Sequence, residues 1–413
     1  MAKRFGLIGE NIGYSHSKSI HKMLADYDYD ILSIRPQELE SVVHSSQYDG
    51  FNVTIPFKKE VMRFCDELSD TAQKIGSVNT LRKRKDGTIF GDNTDYAGFL
   101  YLAKRTGIDF DGKKVLVLGS GGTSLTACAA ISDSGGEVTV ISRGADDNYD
   151  NIARHCDADI IVNTTPLGTC PNMDLQAVDL SGFKRCSGVV DVVYNPLRSR
   201  LVLQARELGI RASGGLPMLV SQAKEASSVF EGCEIADSEV ERIISVLTKK
   251  LSNIVLIGMP GCGKTTVGAL VAKRLSRAHV DIDSRIVEEA GMSVGGIFEK
   301  FGEEYFRKLE EKAVFEAGKE QGIVISTGGG AAMSKNNRRR LSHNGIVVLL
   351  KREVSSLEIA GRPLSADTQG LIDMERKRMP VYRAFADIVA NNNGKAENTA
   401  EYIAEKINEN TCY

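Results

Sequence analysis

Two series of short, almost wholly apolar runs, each closed by a glycine or polar turn and followed by a helical pattern, constrain this chain more than any other feature. The first series is KRFGLIG (3–9), KKVLVLG (113–119), EVTVISR (137–143), ADIIVNTT (158–165) and GVVDVVY (188–194). The second is SNIVLIG (252–258), HVDID (279–283), GIVISTGGG (322–330) and GIVVLL (345–350). A strand that is apolar on both faces needs cover on both, which helices flanking a parallel sheet supply. The expected fold class is therefore α/β, with two α/β units in succession. A chain of 413 residues also exceeds what one hydrophobic core organises.

The first unit reads as composite. Residues 1–96, with 216–247 packing back on them, form one part, and residues 97–215, which carry a dinucleotide-type segment, form another. Residues 252–413 form the second unit. Between them ADSEVERIISVLTKKL (236–251) has helical apolar spacing and reads as a last helix or a helical linker. VNTLRKRKDGTIFGDNTD (78–95) reads as two strands joined at Asp86-Gly87. Its basic run at 82–85, like Arg338 to Arg340, is expected to be solvated surface.

With 52 Lys and Arg against 54 Asp and Glu, the net charge of −2 supplies no field that would gather nucleic acid or an anionic membrane. A small metabolite is the expected partner. No run of 18 apolar residues occurs, and the eight cysteines lack metal-finger spacing, so a cytoplasmic location is expected.

GMPGCGKTT (258–266) fits GxxxxGK[ST] between a strand and a helix. Its glycines let backbone N–H groups face one concavity, and the helix N-terminus favours phosphate oxygens. Gly258, Gly261, Gly263, Lys264, Thr265 and Thr266 are the expected ATP or GTP contacts. Lys264 reaches the β- and γ-phosphates, and Thr265 offers a hydroxyl to Mg2+.

Further segments carry a resemblance. HVDIDSRIVEEAG places Asp281 and Asp283 on alternate positions at a strand end; GEEYFRKLE (302–310) fits GExxFRxxE; then come TGGG (327–330), AGRPL (360–364) and RMPVYRAFAD (378–387). Over about 252–390 the chain resembles shikimate kinase, a P-loop family of the nucleoside monophosphate kinase-like type. The resemblance implies ATP as donor, Asp281 in the magnesium environment and Asp283 on the hydroxyls of shikimate. It implies Arg307, supported by Glu310, and Arg378 on the substrate carboxylate, Gly328, Gly329 and Gly330 against the same ligand, and Arg362 in a lid near the transferred phosphate. Two arginines from distant segments suit a carboxylate better than a base, because guanidinium groups bind carboxylates through paired directional bonds.

In the first unit LGSGGTS (118–124) places Gly119, Gly121 and Gly122 between a strand and a helix, a shortened dinucleotide fingerprint. Arg143, after the next strand, suits a 2′-phosphate and hence NADP(H), whereas Asp146 and Asp147 close by would suit the unphosphorylated ribose. YSHSKSIH (14–21), NVTIPFK (52–58), VNT (78–80), DNTD (92–95), NTTPLG (163–168), DVVYNP (191–196) and GGLPMLVSQA (214–223) together resemble shikimate dehydrogenase over about 3–235. The resemblance implies Ser15 and Ser17 on the substrate carboxylate, Asn52, Thr54, Asn79 and Gln222 as further substrate contacts, and Asn163 on the cofactor side. Ketone reduction by hydride leaves negative charge on oxygen and needs a proton there, which a lysine beside a carboxylate supplies. Lys58 is expected as the acid/base group and Asp95 as its partner. The six histidines make no metal set, and His21 is expected to order the first substrate loop.

The chain is thus expected to reduce 3-dehydroshikimate to shikimate and to phosphorylate shikimate on its 3-hydroxyl. Two other readings stay open at this point: a quinate/shikimate dehydrogenase fused to a kinase for another carboxylated polyol, and one unit kept as a ligand-sensing module without turnover.

Overall fold

Each apolar run forms a strand, trimmed at its ends, in a computed structural model that describes residues 3–13, 15–357 and 368–409. By internal contacts the chain divides into two units. Unit 1 comprises Met1–Leu167, Gln176–Tyr194 and Gln204–Ile244; unit 2 comprises Gly168–Leu175, Asn195–Leu203 and Ser245–Tyr413.

Unit 1 holds two sheets. In the first, β1 (Arg4–Gly9), β2 (Asp28–Ser33), β3 (Gly50–Val53), β4 (Glu67–Leu68), β5 (Thr80–Lys83) and β6 (Ile89–Asp92) run in the order β2-β1-β3-β5-β6-β4. β1 is parallel to β2 and β3, whereas β5 is antiparallel to β3 and β6, so this sheet is mixed. The hairpin at Asp86-Gly87 closes with Arg84 N–H donating to Thr88 O at 2.8 Å, and Gly87 takes φ +90°. One face buries Ile8, Phe51, Val53, Phe57 and Leu81. Another cluster joins Phe5, Tyr27 and Tyr29 to Phe230.

The second sheet is wholly parallel: β7 (Lys114–Leu118), β8 (Glu137–Ile141), β9 (Ile160–Asn163), β10 (Gly188–Asp191) and β11 (Arg211–Ser213) in the order β11-β10-β9-β7-β8. The chain leaves β7 to one side for β8 and returns to the other for β9, which opens a crevice beyond their carboxyl ends. Helices Asp95–Thr106 and Leu216–Glu231 approach closely within the unit. A Cβ on Gly98 would stand 2.9 Å from Met218 O and 3.1 Å from Gln222 N, so a side chain there has no room.

Unit 2 is built on a parallel sheet of β12 (Asn253–Ile257), β13 (His279–Asp281), β14 (Val324–Ser326), β15 (Gly345–Lys351) and β16 (Ile388–Asn391), in the order β13-β14-β12-β15-β16. Its core takes Ile254 to Ile257 from β12 and Ile346 to Leu350 from β15. The segment 236–251 is one helix, Asp237–Leu251.

The basic runs are less solvated than expected. Arg82 is half-buried over the Phe5 ring and donates to Asp49 O at 3.2 Å, and burial lowers the pKa of Lys83. Arg338 donates to Ala332 O, and Arg340 pairs with Asp174 at 3.0 Å. Long cationic side chains lay their stems on apolar surface and give their heads to loop carbonyls and carboxylates. Among the described residues no helix is long and apolar enough to cross a membrane.

Candidate active sites

The register of the mixed sheet gathers the first set of polar residues at one end. Leu7 pairs with Asn52, Asn52 with Thr80, and Thr80 with Asp92. The carboxyl ends of β1, β3 and β6 and the amino end of antiparallel β5 therefore share one edge. From that edge spring the loop carrying Ser15 and Ser17, the Thr54–Lys58 turn, Asn79 and the start of the helix at Asp95. Asp95 opens helix Asp95–Thr106, where a carboxylate also favours the helix dipole.

Lys58 Nζ donates to Asp95 Oδ2 at 2.5 Å, with the two side chains 17% and 11% exposed. A pair this shielded is neither loosely screened surface nor sealed core, so it is fixed in geometry yet open to a ligand. The turn that carries Lys58 is held by Phe57 N–H to Thr54 O at 3.0 Å and by Val78 N–H to Lys58 O at 2.8 Å. Ser17 N–H and the Ser15 hydroxyl are linked at 3.2 Å, and the two hydroxyls lie 3.1 Å apart. Asn79 Oδ1 accepts from Thr94 N–H at 2.8 Å, which ties the end of β5 to the turn before Asp95. Gln222 Nε2 donates to Leu219 O at 2.9 Å.

A buried network behind this edge was not read from the sequence. The Tyr29 hydroxyl donates to Asn52 Oδ1 at 2.7 Å, and Asn52 Nδ2 donates to Thr80 Oγ1 at 3.2 Å, which fixes the amide's orientation. His21 stacks on Tyr29 at 4.0 Å and bonds the Tyr27 hydroxyl at 2.6 Å; Tyr27 donates in turn to Ser227 at 2.9 Å. Burial lowers the His21 pKa to about 3, so the ring is neutral. His21 thus packs among the rings behind Asn52, and the tyrosines at 27 and 29 are the sequence signal that could have found its partners.

At the dinucleotide crevice Gly119 takes φ +106°, and its N–H donates to Ile141 O at 2.8 Å. A Cβ at Gly119 would press on Thr164 and Thr165 at 3.0 Å, whereas Gly121 and Gly122, at the start of helix Gly122–Asp133, face open space. Asn163 is buried and turned inward: Nδ2 donates to Asp191 Oδ1 at 2.9 Å, and Oδ1 accepts from Thr165 N–H at 3.1 Å and its hydroxyl at 2.7 Å. It shapes the loop after β9 through the backbone. Arg143 is exposed after β8, while the Asp147 carboxylate is engaged by His155 at 2.8 Å. That contact turns one of the two competing carboxylates to a structural partner.

In unit 2 the phosphate loop follows the central strand β12. Gly258, Gly261 and Gly263 take φ +146°, +79° and +95°. Lys264 Nζ folds back on Gly258 O at 3.1 Å and Met259 O at 2.9 Å, the carbonyls on the concavity's rim. Asn392, after β16, donates to Cys262 O at 2.8 Å and supports the loop from behind; no motif marks it in the sequence. Thr266 is exposed in the first turn of helix Lys264–Leu275. The Thr265 hydroxyl donates to Asp281 Oδ2 at 2.6 Å.

Asp281 and Asp283 do not alternate along a strand. β13 ends at Asp281, whose Oδ1 accepts from Ser284 N–H at 3.0 Å and caps helix Ile282–Ala290, so Asp283 sits in that helix's first turn. N-cap chemistry prevails over the strand pattern. A Cβ on Gly328 would lie 2.7 Å from both Asp283 Oδ1 and Glu310 Oε1, and one on Gly330 would collide with the Arg307 guanidinium. Absent side chains there make room for carboxylates and guanidinium to converge.

Arg307 Nη1 pairs with Glu310 Oε2 at 2.9 Å, and Arg378 Nη1 donates to Gly329 O at 2.9 Å. Burial raises the Glu310 carboxyl above its ordinary range against the pull of Arg307, and the neighbouring Asp283 charge raises it further. A cavity of about 230 Å³ is lined by Arg307, Arg378, Glu303, Glu310, Ser334 and Asn337, among others. Tyr14 and Arg362 lie outside the described residues.

Comparison with known proteins finds relatives of two parts of the chain. Residues 7–81 match the family model of the shikimate dehydrogenase substrate binding domain, and residues 260–408 match that of shikimate kinase. A shikimate dehydrogenase (NADP(+)) of Clostridium perfringens is 33% identical over 267 residues, covering 59% of this chain and 98% of the relative. One from Methanosarcina mazei is 31% identical, covering 57% and 94%. The crystal structure of a chorismate mutase/shikimate 5-dehydrogenase fusion protein from Clostridium acetobutylicum aligns at 34% identity and TM-score 0.58, covering 60% of this chain and 98% of that one. The Thermus thermophilus shikimate 5-dehydrogenase in complex with NADP(H) and shikimate aligns at 28% identity and TM-score 0.53, covering 58% and 97%. The chain belongs to the shikimate dehydrogenase family and continues beyond that part into a region matching the shikimate kinase family, which makes it a fusion of the two.

Proposed function

We propose that this chain is a bifunctional enzyme that reduces 3-dehydroshikimate to shikimate with NADPH and transfers the γ-phosphoryl group of ATP to the 3-hydroxyl of shikimate. The Lys58–Asp95 pair, 2.5 Å apart at the edge where the substrate segments meet, carries the first half of the reading. The reduced nicotinamide supplies the hydride. Lys58 gives the proton to the carbonyl oxygen as charge develops there, and Asp95 keeps the ammonium aimed and accepts from a substrate hydroxyl. Ser15 and Ser17 offer hydroxyls to the carboxylate; Asn52, Thr54, Asn79 and Gln222 surround the ring. Gly119, Gly121 and Gly122 admit the pyrophosphate, Asn163 shapes the adjoining loop, and exposed Arg143 suits the 2′-phosphate.

For the kinase half, Gly258, Gly261, Gly263, Lys264, Thr265 and Thr266 hold the ATP phosphates. Arg307 and Arg378 hold the acceptor carboxylate, Gly328 to Gly330 admit the ring, and Asp283 orients the hydroxyl, with Arg362 as the lid arginine. Thr265 and Asp281 would hold Mg2+. Their two hard oxygen donors lie together beside the phosphate loop, and a magnesium ion needs few protein ligands because it retains water. The ion offsets phosphate charge when bound.

Purified protein should oxidise NADPH in the presence of 3-dehydroshikimate and release ADP in a shikimate-dependent reaction. A folded sample that turns over neither substrate would overturn the reading, and binding without turnover would favour a sensing role.

A further inference from the structure

The guanidinium of Arg307 is not waiting open for an acceptor. Its Nη1 faces Glu310, while Nε and Nη2 both donate to Glu303 Oε1, at 3.2 and 2.9 Å. The Nε and Nη2 edge is one that can take a carboxylate through two parallel bonds, and here both of its donors go to one Glu303 oxygen. Glu303 stands one helical turn before Arg307 and lines the same cavity, so its carboxylate rests where an acceptor carboxylate would dock. The two counter-ions differ in kind. Glu310 is 1% exposed and is fixed in the interior beside the half-buried Arg307, whereas Glu303 is 53% exposed. Its preceding residue, Gly302, breaks the helix at φ +80°, ψ 173°, so Glu303 begins a new helical stretch and can turn to solvent without disturbing the packing around Glu310.

We propose that Glu303 is an internal substitute for the acceptor's carboxylate: it caps Arg307 until shikimate binds and displaces it. This rests on the reading of Arg307 as the carboxylate clamp. Glu303 then sets acceptor affinity, because only a ligand that brings its own carboxylate replaces the pair it breaks, and an uncharged ligand leaves that pair in place. A neutral ligand that displaced Glu303 would leave Arg307 half-paired.

Calorimetric titration of the full chain with shikimate tests this, the stoichiometry reporting the fraction of competent sites. Glu303→Gln removes the competing charge and should lower the shikimate Kd about two- to fivefold, the scale of an exposed ion pair. The methyl ester of shikimate, which lacks the charge, should show no such gain. An unchanged or raised Kd for shikimate in E303Q, or an equal gain for the ester, would overturn the proposal while leaving the clamp intact. Arg307→Met separates the two levels: if it binds shikimate as the parent does, the clamp itself is wrong and the proposal falls with it.

Discussion

His21 shows how one side chain couples the substrate edge to the stability of unit 1. Burial disfavours its charged form and a hydrogen bond with Asn52 acts the other way, with the net effect that the pKa falls from 6.5 to about 3. Between those values the unfolded chain binds a proton that the folded chain refuses. The stabilisation is therefore whole above about pH 6.5 and is lost as pH falls toward 3, at roughly 1.4 kcal/mol per pH unit. Tyr27 and Tyr29 are the polar rings at its faces and edge, and neither ionises in that window, since burial raises both. His21→Phe should be less stable than the parent near pH 7, because it loses the bond to Tyr27. That deficit should shrink as pH drops to about 4.5, because only the parent carries the refused proton. Urea unfolding monitored by loss of dehydrogenase activity measures the gap, and a gap constant with pH would disprove the linkage.

At the scale of elements, the helix pair Asp95–Thr106 and Leu216–Glu231 carries two of the residues proposed to contact substrate, Asp95 and Gln222, and is spaced by Gly98. A methyl at Gly98 would meet the backbone carbonyl of Met218 at 2.9 Å. Backbone cannot rotate away as a side chain can, so the helices must separate. Gly98→Ala should cost about 1–3 kcal/mol in stability and raise KM for 3-dehydroshikimate, with the phosphoryl-transfer KM unchanged. Denaturant melts and initial rates report both effects, and an unaltered KM in a destabilised variant would mean that the spacing serves packing alone. The long apolar runs were legible as strands because burial on both faces writes itself into sequence. β2, with aspartates among its apolar residues, and the four-residue β3 were not. The same limit governs the sites. The phosphate loop announces itself through residue type and spacing, and Lys58 and Asp95 through the resemblance of the segments that carry them, whereas Tyr29 under Asn52, Asn392 behind the phosphate loop and Asp191 beneath Asn163 act from segments far away in sequence. Their partners are set by sheet register, which no local pattern encodes, and Asp283 moved from strand to helix because a cap at Asp281 turned the chain.

For the molecule as a whole, unit 1 has two sheets and unit 2 one, each unit has its own core, and each carries its own set of proposed site residues. Neither reaction borrows a side chain from the other's set, so the two activities should fail independently. Lys58→Ala removes the proton donor and should lower dehydrogenase kcat by about 10² to 10⁴, with phosphorylation of added shikimate retained; Lys264→Ala should do the converse. Given 3-dehydroshikimate, NADPH and ATP together, neither variant alone should accumulate phosphorylated product at the parent's rate. An equimolar mixture should restore it after a lag, because shikimate released by one molecule reaches the intact kinase of another by diffusion. Product formation followed by rapid quench distinguishes the cases. If the mixture stays silent although each variant keeps its remaining activity, shikimate must pass between sites within one molecule, and the independence argued from the separate sheets and cores does not extend to the product they share.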